Sequence, residues 1–135
     1  MRVLIIDGQG GRIGSALAAE LLEQGFSGEL FAVGTNSLAT MAMQKAGVRN
    51  IATGENPVVV NCRDCDVIVG PIGIIAADSL MGEITPTMAM AVSSSRAHKI
   101  LIPMNNCHIA VAGVAEKKLS EYITETVSQI LHTER

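Results

Sequence analysis

Apolar residues along this chain fall alternately into short unbroken runs and helical stripes. Val3 to Asp7 is such a run, of the kind buried on both faces, and reads as a strand. A glycine-rich turn follows from Gly8 to Gly14. From Ile13 to Gln24, the residues Ile13, Leu17 and Leu21 share one helical face, and Gly25 suits the stop. Glu29 to Val33 predicts the second strand. Asn36 or Ser37 caps a helix to about Lys45, which Gly47 closes. Val48 to Thr53 is a short third strand. Pro57 suits the first turn of a helix reaching Arg63, although Val58, Val59 and Val60 also suit a strand.

The second half repeats the alternation. Val67 to Val69 is the fourth strand, broken by Gly70-Pro71-Ile72-Gly73. Ile74 to Glu83 reads as a loop with a short helical turn. Thr85-Pro86 pairs a cap with a proline at the first helical position, opening a helix to about Ser94. Lys99 to Pro103 is the fifth strand and Ile109 to Val114 a sixth. Glu116 to His132 is a last amphipathic helix with the stripe Leu119, Ile123, Val127, Ile130 and Leu131. This order predicts an α/β, three-layer, Rossmann-like fold: a doubly wound, mostly parallel sheet of five or six strands in the order 3-2-1-4-5. No linker or repeat interrupts it, so residues 1–135 read as one domain.

Composition narrows the function classes. Hydrophobic residues make up 48% and charged residues 17%, which favours a buried core over disorder. With only Phe26, Phe31 and Tyr122 as aromatics, that core is aliphatic. The net charge of −3, without a basic patch, argues against nucleic acid as partner. Val67 to Ala77 is interrupted by glycine and proline and falls well short of the roughly 20 residues of a membrane span. The chain opens directly on a strand with no signal pattern, and its three cysteines suit a reducing compartment, so a cytoplasmic location is expected.

The main chemical signal is the first glycine loop. Gly8, Gly11 and Gly14 form GxxGxxG between a strand and a helix, the context that a phosphate-binding loop requires. Gly8 would turn the chain, Gly10 or Gly11 would let a phosphate reach bare backbone, and Gly14 would let the helix pack on the sheet. The helix N-terminus offers free N–H groups to an anion, and Arg12 adds a charge. Gln9 and Ile13 complete the candidate loop. The alternative is that these glycines only make a tight turn.

At the end of the second strand, Val33-Gly34-Thr35-Asn36 carries neither the usual ribose-binding carboxylate nor an arginine for a 2′-phosphate. Thr35 and Asn36 can still bond a ribose or a phosphate; the alternative is that Asn36 simply caps its helix. Gly70, Pro71, Ile72 and Gly73 are expected opposite the first loop at the switch point of the sheet. Asn105 and Asn106 follow the fifth strand, where an amide could read a base or sugar or tie loops together. The expected ligand is a small-molecule nucleotide, NAD(P) or another adenine nucleotide.

No catalytic residue stands out. Asp7, Asp78, Glu83 and His108 lie near the rim, but no pair has a spacing that compels acid–base chemistry. Asp7 would anchor its turn, Asp78 and Ser79 would cap a helical turn, and Glu83 would be solvated. Cys62-Arg63-Asp64-Cys65 and Cys107-His108 together have zinc-ligand chemistry, but a parallel sheet sets them at opposite ends, so no metal site is expected. The many methionines read as core filler or as a subunit interface, and a homodimer or higher homo-oligomer is expected.

The segments Ile6 to Gly11, Gly34-Thr35-Asn36, Ala52 to Asn56, Gly70 to Ile74, Gly82 to Pro86 and Ile100 to Pro103 resemble a family of short bacterial proteins of unknown function, over nearly the whole chain. That resemblance implies a stand-alone bacterial cytoplasmic protein and no particular activity. The first loop is also similar to that of NAD(P)-binding reductases such as dihydrodipicolinate reductase. Gly8, Gly11, Arg12 and Gly14 match their G-x-x-G-R-[hydrophobic]-G turn, and the similarity ends there, since those enzymes carry a second, substrate-binding domain. The leading expectation is a nucleotide-binding or sensing module. The alternatives are a small NAD(P)-dependent oxidoreductase completed by a second subunit, and a structural scaffold.

Overall fold

The computed structural model describes residues 1–104 and 108–133. Its central strand is β1 (Arg2–Asp7). Val3, Leu4, Ile5 and Ile6 are fully buried, because successive side chains point to opposite faces and both faces are covered. Val3 and Ile5 enter one core while Leu4 and Ile6 enter the other. Burying each such side chain is worth roughly 1.5–3 kcal/mol, which explains why this run has no polar position before Asp7.

On one side β1 pairs in parallel with β2 (Glu29–Gly34), which pairs with β3 (Asn50–Thr53). On the other it pairs with β4 (Val67–Pro71), which pairs with β5 (His98–Ile102). The order is β3-β2-β1-β4-β5, so the described residues hold five strands, all parallel. The helices α1 (Arg12–Glu23) and α5 (Leu119–Thr133) pack on one face through Leu17, Leu21, Ile123, Val127 and Ile130. Met43 of α2 (Ser37–Lys45) joins that core. The other face is covered by α3 (Glu55–Cys62) and α4 (Pro86–Ser94), with Val58, Met88 and Val92 inward. The result is the expected three-layer Rossmann-like arrangement. No described helix is long and apolar enough to cross a membrane.

Several boundaries differ from the sequence reading, each for a local reason. Ile109 to Val114 forms no strand: Ile109, Val111 and Val114 are exposed, and a turn at Ala112-Gly113 folds Val114 N–H back onto the Val111 carbonyl. Val48 precedes β3 because its N–H is already used by the Met43 carbonyl at the end of α2. The valine run of α3 is helical, with Val58 buried and Val60 exposed. The last helix starts at Leu119 rather than Glu116.

The fourth strand continues through Gly70 and Pro71, which pair with Leu101 and Ile102. Gly70 is required by space, since a Cβ there would sit 2.2 Å from the Ile6 carbonyl oxygen. Because that obstacle is backbone in the central strand, relief requires the strands to part. Gly70→Ala is therefore expected to cost about 3 kcal/mol or more in urea-induced unfolding, at the upper end of overpacking effects.

Candidate functional site

The first loop folds around a carboxylate of its own. Asp7 ends β1 and is buried. Its Oδ1 accepts the Gly8 N–H at 2.8 Å and its Oδ2 accepts the Gly14 N–H at 2.6 Å. Two donors that glycine loops present at a helix N-terminus are thus met from inside the chain. Burial pushes the Asp7 carboxyl above its ordinary range; the N–H groups of Gly14, Gly8 and Ile13 oppose that rise, and the Glu83 charge adds to it.

Packing sorts the glycines. A Cβ on Gly14 would meet Met43 Sδ at 2.6 Å and Asp7 Cβ at 2.9 Å, so α1 rests closely on its neighbours there. Gly11 holds φ +71, and a Cβ there would meet the Ala39 backbone at 2.8 Å. A Cβ on Gly8 would meet Thr35 Oγ1, Glu83 Oε1 and Leu80 Cδ1 within 3.0 Å. Gly10 alone of the four faces open space, with nothing within 4 Å of its Cβ position. Among the described residues, no acceptor lies on the N–H of Gly10 or Arg12. Arg12, the first residue of α1, lines a groove between α1 and α5 with Ala16, Ile123 and Lys118.

The end of β2 joins this loop through Glu83. One oxygen, Oε1, accepts from Gln9 N–H at 2.8 Å, Thr35 Oγ1 at 2.5 Å and Asn36 Nδ2 at 2.9 Å. Asn36 also caps α2, with its Oδ1 accepting the Ala39 N–H at 2.9 Å, and its Nδ2 donates to the Gln9 carbonyl at 3.0 Å. Capping and site-building are therefore one arrangement. Partial burial raises the Glu83 carboxyl, but its three donors outweigh that and hold it below its ordinary value.

Glu83 arrives on a tight connection between β4 and α4. Asp78, Leu80 and Met81 hold positive φ values of 66, 54 and 57. Asp78 N–H donates to the Ile84 carbonyl at 2.7 Å, and Ile84 N–H returns to the Ser79 carbonyl at 3.2 Å. Leu80 is buried over Gly8, whereas Met81 is 94% exposed at the tip. Ser79 donates its hydroxyl to the Gly73 carbonyl and caps no helix, contrary to the expectation for Asp78 and Ser79. Gly70 and Pro71 lie in β4 and Ile72 and Gly73 in the 3-10 turn after it, so this segment supports the strap that carries Glu83.

A family model matches residues 2–135 of the sequence. The chain belongs to the DUF3842 family, a domain of unknown function. No curated protein and no solved structure matches the sequence. The site of this family member must be read from its own geometry.

Of the remaining candidates, Asn105, Asn106 and Cys107 lie outside the described residues. His108 is exposed. Cys62 is buried at the end of α3 and Cys65 half-buried just before β4, at the strand ends opposite those from which the glycine loop leaves. Desolvation first, then neighbouring negative charge, pushes their thiols up to about 12 and about 11, so neither is a thiolate at neutral pH. Among the described residues no three metal-ligating side chains gather.

Sequence reasoning placed Glu83 among the acidic groups near the rim but read it as solvated, and missed that it accepts from three donors. The contacts that define it span 47 to 74 residues, and no local pattern near Glu83 announces them. The depressed carboxyl gives a signed expectation. Its stabilising share is whole above the ordinary value of 4.5 and is lost as pH falls through the lower folded value. The stability difference between wild type and Glu83→Gln, measured by urea unfolding, should be largest near neutral pH and shrink as pH falls below the ordinary value of 4.5.

Proposed function

We propose that this protein is a nucleotide-binding or sensing module that receives the phosphates of an NAD(P)-like or other adenine nucleotide over Gly10. The observation that carries this reading is the convergence of polar groups at one switch point of the sheet. Gln9 N–H from the first loop and Thr35 and Asn36 from the end of β2 meet on one anionic oxygen. Beside them the N–H groups of Gly10 and Arg12 have no acceptor among the described residues, and the approach to Gly10 is open. Strand ends around the switch point of a doubly wound sheet are where ligands of this fold settle, with phosphate at the first helix N-terminus. A plain tight turn would need neither the open backbone at Gly10 nor donors from two segments gathered on an acceptor from a third.

The test uses thermal shift with NAD, NADH, NADP, NADPH, AMP, ATP, FMN and inorganic phosphate. A ligand at a hundred times its Kd adds about 2.7 kcal/mol, a rise of roughly 10 °C for a domain of this size. Gly10→Asp is the informative variant, because the added side chain meets no atom within 4 Å of its Cβ and the backbone needs no left-handed φ. It should keep the Tm of the unliganded protein and lose the ligand-induced rise, since a carboxylate would stand where phosphate arrives. Absence of a rise in wild type with every one of these compounds would remove the reading.

A further inference from the structure

We propose that Glu83 is the specificity-determining residue of this site, accepting hydrogen bonds from a free 2′,3′-ribose diol and turning away a 2′-phosphate. The inference rests on the nucleotide reading above and adds the ligand class. A nucleotide whose phosphates lie on the first loop of such a sheet carries its ribose over the end of β2, where an acidic residue of that strand ordinarily accepts from the diol. Here the end of β2 offers only the neutral Thr35 and Asn36. The carboxylate is delivered instead by the β4–α4 connection and is tied to both of them.

The division of labour between its two oxygens is the core of the argument. Oε1 takes all three donors, from Gln9, Thr35 and Asn36. These bonds fix the carboxylate in place and use up the groups that a phosphate would seek there. Oε2 has no donor among the described residues, and Glu83 is only half-buried, so this oxygen is available as an acceptor. A ribose diol brings two hydroxyl donors and no charge, and suits such an acceptor. A 2′-phosphate brings only acceptors and about two negative charges, and meets the fixed charge of Glu83 with the buried Asp7 behind it. No lysine or arginine forms an ion pair with Glu83 among the described residues, so nothing there neutralises the repulsion.

The experiment is isothermal titration at neutral pH with NAD and NADP, and with AMP, 2′-deoxy-AMP and adenosine 2′,5′-bisphosphate. Wild type should bind NAD about tenfold or more tighter than NADP, and AMP tighter than the bisphosphate by a similar factor. Loss of the 2′-hydroxyl should weaken AMP by about tenfold, the usual scale for a hydrogen bond to a charged acceptor. Glu83→Gln should bring NAD and NADP to within about threefold of each other, chiefly by strengthening NADP. Equal or tighter binding of NADP by wild type would mean that phosphate displaces Glu83, and would overturn the proposal while leaving the nucleotide reading standing. Equal binding of AMP and 2′-deoxy-AMP, or an unchanged NAD to NADP ratio in Glu83→Gln, would overturn it likewise. The AMP comparisons need only wild-type protein and decide the matter even if Glu83→Gln does not fold. Binding of none of the five would overturn this proposal, and the nucleotide reading would then stand or fall on the thermal-shift series above.

Discussion

The Asp7 carboxylate joins the central strand to the first helix, and the geometry of the candidate site follows from it. Its two oxygens hold the N–H groups of Gly8 and Gly14, six residues apart in sequence, in one buried spot. Those donors stand where water does not reach, and leaving them bare would cost about 1–3 kcal/mol each. The bonds bend the chain back on itself and start α1 with Gly14 pressed on Met43. Burial of an ionised carboxylate is itself unfavourable, which is why the group is driven up toward its neutral form even with these partners. The turn is held by opposing terms, not by glycine flexibility alone.

Two acidic side chains consequently sit under a loop whose backbone dipoles favour anions. Asp7 satisfies the inner donors, and Glu83 satisfies those at the rim. What remains outward is a narrow strip at Gly10 and Arg12. A bare loop of this sequence pattern would offer its whole N-terminal array to phosphate; in this fold the chain has claimed most of it. The electrostatic character of the site is set by these internal acids as much as by the helix dipole.

The fold was legible in the sequence because its signals are local. Unbroken runs such as Val3 to Ile6, the Thr85-Pro86 cap and the stripe from Leu119 to Ile130 each report the burial of their own element. Ile109 to Val114 misled because it has strand composition without a strand's surroundings: its apolar side chains lie exposed beyond the sheet. The site was legible only in part. Gly14 and Asn36 do what their positions suggest, one by close packing and one by capping. Gly11 serves the packing of α1 on α2, and the open backbone belongs to Gly10. Glu83 was placed near the rim but its contacts were not legible, because its role depends on the fold bringing a distant connection over the loop, and nothing in Met81-Gly82-Glu83-Ile84 encodes that meeting.

That distance has a kinetic meaning. The bond from Gln9 to Glu83 closes a span of 74 residues, and the direct pairing of β1 with β4 is what brings its two ends together. Contacts so far apart in sequence form late, after the loop-closure entropy of the intervening elements has been met. A growing chain that has emerged as far as β4 already has its glycine turn and Asp7, but lacks the acid that completes the pocket rim. The acidic character of the rim is thus a property of the assembled sheet and not of the glycine turn alone.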